Sequence, residues 1–123
     1  MHRPILVVDP DVGKCQEFRD ILRRHHLKSM ALHSLEDLKK GVQTGGFRVV
    51  ILDLDALPVN NRFFRNIRKQ DPTIQIVGLS SYPFHPELQE AMSEHICSCL
   101  SKPVDEEELL FWVKSLLEDK GNA

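Results

Sequence analysis

The residues with the most chemical potential are acids, a hydroxyl and an amine that each stand just beyond an apolar run. Asp9 ends the run Pro4-Ile5-Leu6-Val7-Val8, with Asp11 two places on, and Asp53 ends Val50-Ile51-Leu52, with Asp55 two places on. Ser80-Ser81 and Ser101-Lys102-Pro103 close two further runs. Carboxylates gathered at one place repel unless a cation joins them. Their hard oxygens suit Mg²⁺, which keeps part of its water shell and can also hold phosphate oxygens. A lysine ammonium and a hydroxyl are donors for the other oxygens of a phosphoryl group. An aspartate can itself act as nucleophile and take phosphate as an acyl phosphate.

Such a set works only if the fold brings the ends of the runs together. Pro4–Val8 is continuously apolar, as in a strand buried on both faces, and Val12, Cys15, Phe18, Ile21 and Leu22 then recur at helical spacing. Lys28–His33 alternates and reads as a strand near a sheet edge, with Met30 and Leu32 on one side. Ser34-Leu35-Glu36-Asp37 resembles a capping box, starting a helix that Gly45-Gly46 stops. Phe47–Leu52, Ile74–Leu79 and Ile96–Leu100 are the remaining predicted strands. Between them one helix carries Phe63, Phe64 and Ile67 and ends before Pro72. Another has Pro86 in its first turn, with Leu88, Ala91 and Met92 inward. Asp105 caps the last helix, 105–119, where Glu106, Glu107 and Glu108 favour the N-terminal dipole and Leu109, Val113, Leu116 and Leu117 share a face.

Regular β-α alternation with short connections predicts an α/β fold: a flavodoxin-like, doubly wound, five-stranded parallel sheet in the order 2-1-3-4-5, with helices on both faces. Ligands of such sheets bind beyond the carboxyl ends of the strands, where the order reverses between strands one and three. Asp9 and Asp53 stand at that place, and the predicted topology carries Ser80 and Lys102 to the same rim.

Composition sets the bounds. The 123 residues predict one domain, 1–123, with the core and its rim in 4–103. An apolar content of 41% and a charged content of 28% are those of an ordinary globular protein. The net charge of −2, with no basic stripe, argues against nucleic-acid binding. The longest apolar stretches fall short of a membrane span and no signal peptide is visible, so a cytoplasmic, reducing setting is expected. Cys15, Cys97 and Cys99 lack a disulfide or zinc pattern; Cys97 and Cys99, inside an apolar run, predict buried reduced thiols.

Val7-Val8-Asp9, Val50-Ile51-Leu52-Asp53, Leu79-Ser80-Ser81 and Lys102-Pro103-Val104, in this order and spacing, resemble the receiver domains of bacterial two-component response regulators. The resemblance covers the whole chain. It implies that Asp53 is the phosphoacceptor, with a sensor histidine kinase as donor and Mg²⁺ as cofactor. Asp9, Asp53 and the backbone carbonyl of Asp55 would be metal ligands. Ser80 would be the switch hydroxyl, Lys102 would pair with the phosphoryl group, and the peptide bond before Pro103 would be cis. It also implies a signalling domain rather than an enzyme, joined to a downstream effector domain or to a second copy through its C-terminal helices.

The chain departs from the family pattern at its metal site and its switch. Pro10 replaces the second of two adjacent acids, which predicts weaker Mg²⁺ binding because affinity follows ligand charge. Asp11, one place later, is the candidate replacement, directly or through water; it equally suits a helix cap. Leu57-Pro58 comes one residue late, and Asn60-Asn61 stands where the family has Asp-Gly. Cys99 occupies the position of the switch aromatic, and a thiol cannot swing in and out as a ring does.

Two other functions fit parts of the sequence. Pro10 and Cys99 suit a phosphorylation-independent, receiver-like interaction module. Val7-Val8-Asp9-Pro10-Asp11 resembles the nucleophile motif of haloacid-dehalogenase phosphatases, with Asp9 as nucleophile, but no acidic pair follows strand four. A flavodoxin proper is disfavoured because Asp9 and Asp11 would repel the flavin phosphate.

Overall fold

A run of Val, Ile and Leu with no polar break can be buried on both sides only in a sheet that helices cover on both faces. Two such runs form the centre of the molecule: every residue of β1 (Ile5–Val8) and of β3 (Val49–Asp53) is buried. The computed structural model describes residues 5–118 and completes one parallel sheet with β2 (Ser29–Leu32), β4 (Gln75–Ser80) and β5 (Ile96–Ser101). The strand order is β2-β1-β3-β4-β5, so the chain reverses direction across the sheet between β1 and β3.

Five helices cover the sheet: α1 (Val12–Arg24), α2 (Leu35–Thr44), α3 (Asn61–Gln70), α4 (Gln89–Glu94) and α5 (Glu106–Glu118). Side chains alternate along each strand, so each face collects its own core. Leu6, Val8, Val50 and Leu52 pack with Leu38, Phe64, Ile67 and Ala91 of α2, α3 and α4. Ile5, Val7, Val49 and Ile51 pack with Cys15, Leu22, Leu109 and Val113 of α1 and α5. The helix starts follow cap chemistry: Asp11 accepts from the Gly13 and Lys14 N–H groups, Ser34 from Asp37, Asn60 from Phe63 and Asp105 from Glu107. Gly45 ends α2 at φ 75°, where a side chain would be strained.

Some expected boundaries move. β3, β4 and β5 each run one residue further, because the ladder continues through the pairs Asp53–Leu79 and Ser80–Ser101. The predicted fourth helix begins as a 3₁₀ turn at Pro86–Leu88 that leads into α4. Cys97 and Cys99 are exposed, not buried. β5 is an edge strand, and only Ile96 and Leu100 of its side chains enter the core. The first residue of the expected first strand, Pro4, and the last of the expected final helix, 119, lie outside the described residues. Among the described residues no helix is long and apolar enough to cross a membrane.

Candidate functional site

In a parallel sheet all strands point the same way, so residues that end strands share one rim. Asp9, Asp53, Ser80 and Lys102 meet there. Asp9, Asp53 and Ser80 are the buried polar residues of the described chain, at 3%, 2% and 2% exposure. Groups so deeply buried require partners, and the partners define the site.

Asp53 is held from two directions. Its Oδ1 accepts the N–H groups of Asp55 (2.8 Å) and Ala56 (3.0 Å), which the turn after β3 aims back at it. Its Oδ2 accepts the Lys102 ammonium at 2.7 Å. Burial opposes ionisation of Asp53, but the Lys102 ammonium and the two N–H groups outweigh it and hold the carboxyl below its ordinary pKa. Lys102 is raised in turn: burial works against its charge, and Asp53 and Asp55 more than offset this.

Asp9 is the reverse case. Burial, with the Asp53 carboxylate beside it, raises its pKa, against the N–H of Asp11. Its Oδ1 accepts that N–H at 2.8 Å, while its Oδ2 is buried without a partner. Behind it, His33 Nδ1 lies 3.0 Å from the Asp9 carbonyl oxygen and Cys15 Sγ lies 3.4 Å from the same atom. An unpartnered buried oxygen next to a second carboxylate fits a hard cation. Among the described residues no three His, Cys, Asp or Glu side chains form a metal cage, so any cation here would keep much of its water.

Asp55 plays a part that sequence reasoning missed. Its carboxylate accepts the Ser80 hydroxyl at 2.7 Å and the Ser81 N–H at 2.8 Å, and lies 3.2 Å from Lys102 Nζ. Burial again works against its charge, and the Ser81 N–H, the Ser80 hydroxyl and Lys102 bring its pKa below the ordinary value. No sequence signal announces this contact, because the turn geometry after β3 decides it. Ser80 Oγ also accepts the Tyr82 N–H at 3.0 Å. The Lys102–Pro103 peptide bond is cis. The Asp11 carboxylate accepts the Gly13 and Lys14 N–H groups at the start of α1. Cys99 lines a groove with Ser80, Tyr82, Phe84 and Met92, and burial together with the Asp55 charge raises the pKa of its thiol. Asn61 links α3 to α4, accepting the Ala91 N–H and donating to the Glu87 carbonyl.

Between Asp9, Asp53 and Lys102 opens a cleft walled by Phe18, Ile21 and Val104, with Lys14 and Glu17 also on its lining. It brings the Asp53 carboxylate, the Lys102 ammonium bonded to it and Asp9 to one opening.

The family model described as "Response regulator receiver domain" matches residues 5–114. A comparison with curated proteins finds no match. Among solved structures, a CheY-like receiver domain protein from Methanospirillum hungatei superposes with a TM-score of 0.87 at 15% identity, covering 99% of this chain and 98% of that one. The signal receiver domain of an HD domain-containing protein from Pseudomonas fluorescens gives 0.87 at 21% identity, covering 100% of both chains. A response regulator receiver domain from Bermanella marisrubri gives 0.82 at 25% identity, covering 96% and 100%. With its strand order, its rim of acids and a family match over most of its length, the chain belongs to the response regulator receiver domains.

Proposed function

We propose that Asp53 accepts a phosphoryl group from a sensor histidine kinase, or from a small acyl phosphate, and that the added charge biases Ser80 and the elements beyond it. The observation that carries this reading is the 2.7 Å contact between Asp53 and Lys102 on the floor of the cleft. In the transfer an Asp53 oxygen attacks phosphorus and forms the new P–O bond. The bond from phosphorus to the donor nitrogen or oxygen breaks, and its electron pair leaves with the donor. Lys102 stands where it can balance charge on the transferred oxygens, and the N–H groups of Asp55 and Ala56 orient the nucleophile.

Asp9, Asp53 and the Asp55 carbonyl would hold Mg²⁺, which when bound neutralises the carboxylates and phosphoryl oxygens. The unpartnered Asp9 oxygen supports this set. Asp11 is left out, because its carboxylate serves α1. With Pro10 supplying no charge, the binding is weak. Three free thiols support a cytoplasmic setting. Phe111, 62% exposed on α5, supports contact of that helix with a second copy or an effector domain.

A phosphatase with Asp9 as nucleophile is less well supported, because the Lys102 ammonium that would meet the phosphoryl oxygens is bonded to Asp53. The test is intact-mass measurement after acetyl phosphate and Mg²⁺. One phosphate adduct is expected on the native chain and none on Asp53→Ala; a native chain that takes no adduct from acetyl phosphate or from kinase donors overturns the reading.

A further inference from the structure

We propose that the Asp55 side chain is a resident anion for the switch: it already occupies the Ser80 hydroxyl, the Ser81 N–H and the Lys102 ammonium, so a phosphoryl group on Asp53 must displace it. The inference rests on Asp53 being the phosphoacceptor and adds a competitor built into the same loop.

A phosphoryl group presents anionic oxygens to hydrogen-bond donors, and so does a carboxylate. Asp55 uses both of its oxygens in this way, Oδ1 on Ser80 at 2.7 Å and Oδ2 on the Ser81 N–H at 2.8 Å. Lys102 is divided between Asp53 Oδ2 at 2.7 Å and Asp55 Oδ2 at 3.2 Å. The turn makes this possible, since the Asp55 N–H bonds back to Asp53 Oδ1 and keeps both acids within reach of the same donors.

Two consequences follow. Anion uptake at Asp53 is weakened, because each donor must first give up Asp55. The donors are also engaged without phosphate: Ser80, drawn onto Asp55, accepts the Tyr82 N–H and fixes the start of the loop that borders the Cys99 groove. The donors that would meet the phosphoryl oxygens are therefore engaged before any phosphoryl transfer.

The test compares the native chain with Asp55→Ala and Asp55→Asn by two measurements. The first is beryllofluoride titration with Mg²⁺, read by ¹⁹F NMR; the fluoride adduct stands in for the phosphoryl group. Apparent affinity should rise roughly tenfold in Asp55→Ala and by a smaller factor in Asp55→Asn, since three donors are freed in one and only charge is removed in the other. Unchanged or weaker affinity overturns the inference. The second is hydrogen exchange of the Ser81 amide without Mg²⁺ or fluoride, expected to speed up roughly tenfold in Asp55→Ala as its acceptor is lost. Unchanged protection of Ser81 overturns the inference as well. If no chain binds beryllofluoride in an Asp53-dependent way, the phosphoacceptor reading falls and the Ser81 exchange alone decides whether Asp55 holds the donors. Asp55 lies on an exposed loop, and Asp55→Asn keeps the side-chain shape should Asp55→Ala fold poorly.

Discussion

At the scale of single residues, the site is a pair of neighbouring carboxylates driven in opposite directions. Asp53 has an ammonium and two N–H donors; Asp9 has one donor and an oxygen facing none. The signs of their pH dependence therefore differ. Asp53 and Asp55, lowered in the fold, add stability that is present above the ordinary carboxylate range and lost as pH falls through their lowered values. Asp9, raised, costs stability above its shifted value, and that cost is relieved as pH falls through it. At neutral pH without Mg²⁺, Asp9→Asn should stabilise the domain by about 1 kcal/mol, roughly 3–5 °C in melting temperature. Added Mg²⁺ should raise the melting temperature of the native chain by mass action and leave that of Asp9→Asn in place. Thermal melts with and without Mg²⁺ check both, and a melting temperature lowered by Asp9→Asn would show that the Asp9 charge is already compensated.

At the scale of elements, the question is which acid belongs to a helix and which to the site. Asp11 has the backbone of a cap, φ −85° and ψ 111°, and accepts two N–H groups of the first turn of α1. Asp11→Ala should cost about 1 kcal/mol of stability. Its Mg²⁺ affinity, read by titration, should stay within roughly twofold, where loss of a direct ligand would cost far more. The strands that place the acids were legible because their side chains must be apolar on both faces, which leaves a pattern of types. So were the caps at Ser34 and Asp105, whose side chains are chemically suited to the task. The direction of Asp55 left no such trace, and neither did the exposure of Cys97 and Cys99, since a short apolar run does not tell an edge strand from a central one. Gly78 is a third case. A Cβ there would come within 2.8 Å of Leu54 Cδ1, so a glycine in the middle of β4 makes room for the residue after Asp53, a reason visible only in three dimensions.

At the scale of the whole molecule, both cores are the two faces of one sheet. Leu6 and Val8 serve the face under α2, α3 and α4, while their neighbours Ile5 and Val7 serve the face under α1 and α5. Neither face can lose its packing without releasing the strands that hold the other, so the domain should unfold in one cooperative step. Phe64 and Leu109, each at 0% exposure, lie in opposite cores. Truncating either to Ala should cost roughly 2–5 kcal/mol, a large share of the stability of a domain this size. Far-UV circular dichroism reports the whole fold, and the fluorescence of Trp112, packed against the α1–α5 core, reports one face. The two curves should superimpose in Phe64→Ala as in Leu109→Ala; a Trp112 transition that stays put in Phe64→Ala would mean that the faces are separable. Superposition matters for signalling because Asp53 ends the central strand β3, whose Leu52 and Ile51 pack into opposite cores. If Asp53 takes a phosphoryl group as proposed, this shared strand connects it to α3 and α4 on one side and to α5 on the other.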